Sequence, residues 1–240
     1  MQARRAKRNM SVLKKATQPI PIRTAEAIQA LIRERGLKAG DALPAQRQLA
    51  DHLGVSRPSL REALSILETL GLISVEAGRG VYVIDPATRA AAPAQWRYNQ
   101  LFSLRDVYQT RLAIEGLAAA LTAATIHGGV IAEFDAISSV MDAAAERRDG
   151  LALADADTRF HDLIFSLCGN AMFQKLYQDI RTVFVESQRI PMTERERLSE
   201  TAAEHRRVLE AFAARQPEAA RRAMESHILN SAARAGLTIL

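Results

Sequence analysis

The sequence predicts a mainly α protein, in which a small N-terminal module of three helices and a β-hairpin precedes an all-α bundle of six or seven helices. Through most of the 240 residues, apolar side chains recur at the three- and four-residue spacing of a helix face. The segment LISVEAGRGVYVI differs, because it reads as two short strands around a glycine-containing turn. The stretch DPATRAAAPAQ then separates the two parts with two prolines and little periodicity.

The N-terminal module contains three predicted helices. The first spans residues 23–35, the second spans residues 45–52, and the third begins at Ser56 and runs to about Leu70. The two predicted strands flank residues 77–80, where two glycines favour a tight turn. The module is therefore predicted to occupy residues 20–84.

The rest of the chain is predicted to be helical. Residues 85–98 form a predicted linker, and residues 99–240 form a predicted all-helical domain. Ser103 and Asp106 have the spacing of a capping box at the start of a long helix that runs to about Ile126. The further predicted helices span residues 130–148, 151–168, 171–190, 194–215 and 218–235.

The charge is distributed unevenly along the chain. Residues 1–98 carry 16 Lys and Arg against 8 Asp and Glu, whereas residues 99–240 carry 16 against 19. A basic N-terminal part joined to an acidic remainder is typical of a nucleic-acid-binding module followed by another domain. Residues 1–19 hold six basic residues and no acid, and they are predicted to form a basic flexible arm.

The composition predicts a cytoplasmic protein. The single cysteine, Cys168, excludes an internal disulfide framework. No apolar run approaches the ~20 residues that span a bilayer. The N-terminal segment also lacks the apolar core of a signal peptide. No membrane is therefore expected among the partners.

Three helices, a turn containing Gly54 and a β-hairpin are the parts of a winged helix-turn-helix. Ser56 can cap the helix that follows this turn. Arg57, Ser59 and Arg61 remain near its exposed N-terminal end, where a recognition helix meets base edges and phosphates. Solvated surface residues are the alternative interpretation of each arginine.

The run LPAQRQLADHLGVSRPSLREALSILETLGLISVEAGRGVYV resembles the DNA-binding domain of the GntR family of bacterial transcription regulators over essentially its full length. The resemblance implies DNA contacts from the helix-turn-helix and from the wing. The implied contact residues are Arg47, Ser56, Arg57, Ser59, Arg61, Gly78 and Arg79. Gln46 is a departure, since the family usually has glutamate there.

Four ionisable residues lie on helix faces that otherwise resemble core faces. Asp157 and His161 are four residues apart, so both side chains can reach a single ion. His205 and His227 lie among apolar residues of two later predicted helices. Buried ionisable groups are costly unless they are paired or bind a metal, and helices of one bundle can supply ligands to a common centre. A hydrogen-bonded core cluster without metal is the alternative interpretation.

This pattern resembles the effector domain, often called FCD, of the FadR-type branch of the GntR family. The branch has an Asp-x-x-x-His motif followed by a histidine in each of the last two helices. Asp157, His161, His205 and His227 match all four positions, and the resemblance covers the chain from about residue 20 to residue 235.

Two further matches concern the effector itself. Arg111 and Glu115 lie in YQTRLAIEG, and Asn170 ends Cys168-Gly-Asn, where the family commonly has Ser-Gly-Asn. The resemblance implies that Arg111 and Asn170 hold the effector. The alternative for Arg111 is an ion pair with Glu115 at the i, i+4 spacing.

These observations together predict a ligand-responsive transcription regulator, most often a repressor in this family. One carboxylate and three imidazoles suit Zn²⁺, Ni²⁺, Mn²⁺ or Fe²⁺, so one divalent metal ion per chain is predicted. Open coordination positions would take water or the carboxylate of a small organic acid. The partners expected are a second copy of the chain and double-stranded DNA with a palindromic operator, since a two-fold protein reads a two-fold site.

Two other functions fit parts of the pattern. The first is a metal-dependent hydrolase with an accessory DNA-binding domain, although no glutamate is placed as in His-Glu-x-x-His. The second is an architectural DNA-binding protein whose helical bundle only dimerises. We expect a protein that is not an enzyme.

Overall fold

The computed structural model describes residues 18–84 and 96–240. These residues divide into two compact units, one with the N-terminal helices and hairpin and one with the C-terminal helices. Most of the predicted arm at residues 1–19 and of the predicted linker at residues 85–98 lies outside the described residues. The domain limits proposed from the sequence stay predictions.

The N-terminal unit has the predicted three helices and hairpin. Its elements are α1 (Ile20–Glu34), α2 (Gln46–Leu53), α3 (Arg57–Thr69), β1 (Ile73–Glu76) and β2 (Gly80–Val83). Helix α1 begins at Ile20 rather than at the predicted Arg23, because Pro21 is tolerated in the first turn, where its missing N–H has no partner to lose.

A left-handed glycine and an apolar core set the angle between α2 and α3. Gly54 closes α2 with a φ of 64°, a conformation that glycine adopts without a side-chain clash. Leu49 of α2 and Leu64 and Leu67 of α3 are buried together with Ile28 of α1. The polar faces of α2 and α3 are thereby left on the outside of the unit.

The wing is a two-stranded antiparallel hairpin, as predicted. Ile73 lies opposite Val83 and Glu76 opposite Gly80, so the turn falls at residues 77–79. Gly78 has a φ of 74°, which favours glycine at that position. The connection before α2 extends the sheet edge, because the backbone N–H of Leu43 donates to the carbonyl of Val81 at 2.8 Å.

The C-terminal unit contains six α-helices within residues 96–240. They are α4 (Leu104–Thr125), α5 (Gly128–Glu146), α6 (Gly150–Leu167), α7 (Ala171–Arg189), α8 (Leu198–Ala213) and α9 (Pro217–Arg234). The predicted capping box is confirmed, since Ser103 Oγ accepts from the N–H of Asp106 and Asp106 Oδ2 accepts from the N–H of Ser103. Helix α4 packs most extensively on α9.

The sequence interpretation is wrong between α7 and α8. The helix predicted from residue 194 begins at Leu198, and two short 3₁₀ turns occupy Ile190–Thr193 and Arg195–Arg197. Pro191 is the physical reason, because it has no N–H to continue the α-helical pattern of α7 and starts the tighter turn instead.

Among the described helices, none combines the length and the apolar composition that a membrane span requires.

Candidate functional site

Four polar side chains meet in the interior of the C-terminal unit. Helix α6 supplies Asp157 and His161 from consecutive turns, α8 supplies His205, and α9 supplies His227. All four are buried, and one ligand atom from each lies within 4.8 Å of the others. The four residues form a cluster that could hold a metal ion, and we refer to them as the Asp/His₃ cluster.

The three imidazole rings pack against one another and against an aromatic side chain. The ring centroids of His205 and His227 are 4.4 Å apart, and His161 lies 5.4 Å from each. Phe160 meets the ring of His205 edge-on, with the centroids 4.7 Å apart. This apolar surrounding lowers the local dielectric, so any charge in the cluster must be matched by a nearby group.

One nitrogen of each imidazole is held by an oxygen outside the cluster. Two of these oxygens belong to buried carboxylates and the third to a backbone carbonyl. The contacts are His161 Nδ1 to Glu115 Oε2 at 2.5 Å, His227 Nδ1 to Glu204 Oε2 at 2.9 Å, and His205 Nδ1 to the carbonyl of Thr201 at 2.9 Å. Each contact fixes the orientation of its ring.

His161 Nδ1 meets Glu115 Oε2 as a close ion pair rather than a hydrogen bond. The other nitrogen of each ring has no hydrogen-bond partner within the part of the chain that the structure describes. The same is true of both oxygens of Asp157. His205 Nε2 approaches Asp157 Oδ1 to 3.3 Å and His161 Nε2 approaches Oδ2 to 3.8 Å, without forming a hydrogen bond. An unpaired buried polar atom costs roughly 1–3 kcal/mol, and a divalent cation could take one ligand atom from each of the four residues. The donor set therefore fits a metal ion.

Burial determines the protonation of three cluster residues. It raises the pKa of Asp157 to about 6, although His161 and Arg111 pull in the opposite direction. Burial and the neighbouring His161 lower the pKa of His205 to about 3. Burial and the other two histidines lower the pKa of His227 well below its usual range. His205 and His227 are therefore neutral at physiological pH, the form that can bind a metal.

His161 behaves differently because it faces two carboxylates. Burial would lower its pKa, but Glu115 and Asp157 raise it above the usual value. Burial would likewise raise the pKa of Glu115, but Arg111 and His161 lower it to about 2. In the metal-free cluster His161 therefore holds its second proton more tightly than an ordinary histidine does.

Arg111 is joined to the cluster through Glu115. Its Nε donates to Glu115 Oε1 at 2.8 Å, and its Nη1 lies 3.4 Å from Ser187 Oγ. The ion pair that the sequence offered as the alternative interpretation is thus present in the structure. Arg111 is fully buried, and its Nη2 has no hydrogen-bond partner among residues 18–84 and 96–240. One edge of the guanidinium therefore carries a buried N–H group without a hydrogen-bond partner among those residues.

Asn170 has a structural role that the sequence did not indicate. Its Oδ1 accepts from the backbone N–H groups of Met172 and Phe173, at 3.0 and 3.1 Å, and so caps the start of α7. No hydrogen bond joins it to the Asp/His₃ cluster within the described C-terminal residues. Its part in effector binding stays a prediction.

The residues predicted to contact DNA from the helix-turn-helix lie on the surface of the N-terminal unit. Arg47 is exposed in the first turn of α2, and Arg57 and Arg61 are exposed in the first turns of α3. The hydroxyl of Ser56 accepts from the N–H of Ser59 at 3.3 Å and contacts its hydroxyl at 2.9 Å. Ser56 therefore caps the start of α3, and the two arginines are exposed next to this cap.

The wing contributes one exposed cation. Arg79 follows Gly78 at the tip of the hairpin and pairs with Glu76 at 2.7 Å, while 75% of its side chain stays exposed. A surface pair of this kind contributes little to stability, so Arg79 can exchange its partner for a phosphate.

Sequence reasoning missed two residues that hold the ligand histidines. Glu204 precedes His205 directly and Thr201 lies one helical turn earlier, and neither stands out in the sequence. Glu204 contacts the histidine of the neighbouring helix instead of its own, which depends on how α8 and α9 pack. Only the fold could have identified that contact.

The fold and the cluster together are those of a two-domain transcription regulator, and comparison with known proteins defines the family. The family model for bacterial regulatory proteins of the gntR family matches residues 22–83. The model for the FCD domain matches residues 106–230. The chain belongs to the GntR family of transcription regulators and carries a C-terminal FCD effector domain.

Individual relatives agree with this assignment. The chain is 31% identical to the "Uncharacterized HTH-type transcriptional regulator YcbG" of Bacillus subtilis (strain 168), over 85% of this chain and 84% of the relative. It is 29% identical to the "Glc operon transcriptional activator" of Escherichia coli (strain K12), over 90% and 89% of the two chains. The fold matches the solved structure of E. coli McbR/YncC with a TM-score of 0.52 and 18% identity, over 91% and 97% of the chains. The names of the first two relatives are those of transcription regulators, and the comparisons give the hydrolase alternative no support.

Metal binding to the cluster should release protons. Because the pKa of His161 is raised, its second proton must leave before Nε2 can bind a cation, and Asp157 begins to compete for protons near pH 6. We therefore expect the affinity for Zn²⁺ to fall as the pH is lowered through the raised pKa of His161 and on to about pH 6. Calorimetry in two weakly coordinating buffers of different ionisation enthalpy would measure the released protons. An affinity that stayed constant over this range would contradict the assignment of ligands.

Proposed function

We propose that this GntR-family regulator binds a palindromic operator as a dimer, holds one divalent metal ion per chain in the Asp/His₃ cluster, and changes its DNA binding in response to a small carboxylate effector. One observation carries the proposal. Five buried donor atoms, three imidazole nitrogens and the two oxygens of Asp157, converge inside the bundle without hydrogen-bond partners in the described chain.

The donor set favours Zn²⁺, Ni²⁺, Mn²⁺ or Fe²⁺ over the alkaline-earth cations, because three of the four ligands are imidazoles. With one carboxylate and three neutral rings, the bound ion would keep a net charge of about +1 and could offer a position to an anionic oxygen. The protein contributes the orientation of the rings and an apolar surrounding that strengthens attraction for an anion.

Arg111 supports a carboxylate as the effector group. Its guanidinium is planar and permanently charged, and it has an unpaired Nη2 in a buried position. A carboxylate next to this edge would form a charge-assisted hydrogen bond while completing the neutralisation of the cluster. Glu115 holds the opposite edge and so fixes the direction in which the free N–H points.

The N-terminal unit supplies the other half of the function. The capped start of α3 exposes Arg57 and Arg61, the usual position for base contacts in a recognition helix. Arginine forms bidentate hydrogen bonds with guanine, and the remaining cations, Arg47 and Arg79, can contact phosphates.

Regulation would then follow from a shift between two arrangements of the dimer. An effector changes DNA affinity only to the extent that it binds one arrangement more tightly than the other. We expect the regulator to act as a repressor and to work in the cytoplasm, where its DNA target lies.

Replacing Arg57 or Arg61 with Ala should weaken specific DNA binding by roughly 1–3 kcal/mol if each contacts a base. The measurement is fluorescence anisotropy with a duplex that the wild-type protein selects from a random-sequence pool, at several salt concentrations. Arg159→Ala is the control, because Arg159 is an exposed cation of α6. Wild-type affinity in both α3 variants would overturn the assignment of the recognition helix.

Removing the metal should lower the melting temperature, because a ligand that binds only the folded protein stabilises it by mass action, roughly 2.7 kcal/mol at 100 times Kd. His205→Ala and His227→Ala should behave like the chelator-treated wild type. His127→Ala is the control, since His127 is an exposed histidine outside the cluster. Metal content by mass spectrometry and thermal unfolding with and without Zn²⁺ give the readout. Wild-type protein that takes up no Zn²⁺, Ni²⁺ or Mn²⁺ would exclude the metal centre.

Effector binding can be separated from helix capping at Asn170. Asn170→Ala should cost about 1 kcal/mol of stability through loss of the cap, whereas Asn170→Asp keeps the capping oxygen and removes the amide donor. If Asn170 contacts the effector, Asn170→Asp should keep its stability and lose thermal stabilisation by acetate, L-lactate or citrate. Arg111→Met should lose the same response. A full response in both Asn170→Asp and Arg111→Met would contradict their assignment to the effector site.

A further inference from the structure

Two buried carboxylates outside the Asp/His₃ cluster contact its histidines. Glu115 of α4 lies against His161, and Glu204 of α8 lies against His227. The exposed fraction of the side chain is 1% for Glu115 and 5% for Glu204. A buried carboxylate is costly unless cations and hydrogen-bond donors surround it, so its surroundings show what holds it in place.

Each oxygen of Glu115 lies against one basic side chain, Oε1 in a hydrogen bond with Arg111 and Oε2 in an ion-pair contact with His161. Oε1 accepts from Arg111 Nε at 2.8 Å, and Oε2 lies 2.5 Å from His161 Nδ1. Arg111 is on the same helix one turn earlier, so the ion pair holds the carboxylate in a single orientation. Helix α4 contributes no residue to the Asp/His₃ cluster, and its Glu115 carboxylate contacts His161.

Glu204 is held still more firmly. Arg234 donates to both oxygens, at 2.8 and 2.7 Å, and Asn230 donates to Oε1 at 3.0 Å. The remaining contact of Oε2 is His227 Nδ1 at 2.9 Å. With three other donors in place, the carboxylate cannot turn away from the ring, and the ring is fixed through Nδ1.

We propose that Glu115 and Glu204 are positioning residues of the metal centre, which hold His161 and His227 so that Nε2 of each ring, and not Nδ1, binds the cation. The inference rests on the metal site proposed above and adds the two residues on which its affinity depends. A carboxylate that accepts from Nδ1–H selects the tautomer with a free Nε2 lone pair and raises the basicity of that nitrogen. His205, which is held by the carbonyl of Thr201, lacks this added negative charge.

The arrangement is more than charge neutralisation. Arg111 and Arg234 would each be neutralised by a carboxylate placed anywhere near the guanidinium. Both carboxylates instead place one oxygen against a ligand histidine, in contacts formed between different helices, α4 with α6 and α8 with α9. Because the same contact occurs at two positions, we infer that the carboxylates orient the histidine rings.

The test compares Glu115→Gln and Glu204→Gln with the matched control Glu186→Gln. Glu186 is also a buried carboxylate paired with an arginine, Arg189 at 2.9 Å, and it does not contact a cluster histidine. Co²⁺ is the probe, because its visible absorption reports the coordination geometry. Dissociation constants come from competition with a chelator at fixed pH, and the unfolding of metal-free protein is measured separately.

We expect each of the two substitutions to weaken Co²⁺ binding about 10- to 100-fold and to change the absorption spectrum, since a neutral amide orients the ring less firmly. Glu186→Gln should bind Co²⁺ with wild-type affinity, whatever it does to stability. A purely structural role would lower the melting temperature of metal-free protein and leave affinity and spectrum unchanged. Wild-type affinity and spectrum in both Glu115→Gln and Glu204→Gln would overturn the inference while the metal centre stands.

Glu115→Gln leaves Arg111 without its anion, so a second variant guards against misfolding. In Arg111→Met combined with Glu115→Gln the uncompensated charge is gone, and the same loss of Co²⁺ affinity is expected. If this double variant binds Co²⁺ like the wild type, Glu115 is not a positioning residue. Wild-type protein that takes up no Co²⁺ at all would instead overturn the proposed metal centre, and the positioning role with it.

Discussion

The burial of a carboxylate and three imidazoles in the centre of a helical bundle is the constraint on which the C-terminal unit depends. Apolar side chains of similar size would fill the same space without unpaired polar atoms, and such replacements are often neutral or stabilising. In the metal-free cluster six polar atoms have no hydrogen-bond partner within the described chain, at a cost of roughly several kcal/mol. A bundle selected for stability alone would not keep this arrangement, so its presence is best explained by a ligand that completes it.

Helix α4 shows how the rest of the bundle is arranged around that centre. Tyr108 donates towards the backbone carbonyl of Ser187 on α7 at 3.2 Å and lies 3.1 Å from the hydroxyl of Ser231 on α9. Close packing on α9 is possible because residue 116 is glycine, where a Cβ would lie 2.8 Å from Glu225 Cγ. Glu115, the residue before this glycine, contacts His161 of α6. Neighbouring residues of α4 thus serve two contacts, since Gly116 packs against α9 and Glu115 contacts a ligand ring.

Much of this arrangement follows from the sequence alone. Helical spacing placed Asp157 and His161 on one face and His205 and His227 on apolar faces of two later helices, and the family pattern matched the same four residues. The fold brings these residues within reach of one another. The capping box at Ser103 was also predictable, because it depends on local spacing. Contacts between helices were not predictable in this way. Glu204 resembles any charged residue of α8 until α9 is packed beside it, and its role depends on that long-range contact.

The two units differ in where their charged side chains lie, exposed in the N-terminal unit and buried around the cluster in the C-terminal unit. In the N-terminal unit Arg57 and Arg61 are exposed and solvated, so their positive charge is available over a distance and is screened by salt. In the C-terminal unit Glu115 and Glu204, the carboxylates that contact cluster histidines from outside, are buried and paired with arginines, so screening is weak and geometry decides what binds. Surface cations suit the binding of DNA, a polyanion along which a protein slides while it searches for its site. A buried, pre-oriented cluster suits a small ligand that must be distinguished by shape and charge. The position of a charged residue relative to solvent thus separates the part of the regulator that contacts DNA from the part suited to sensing a ligand.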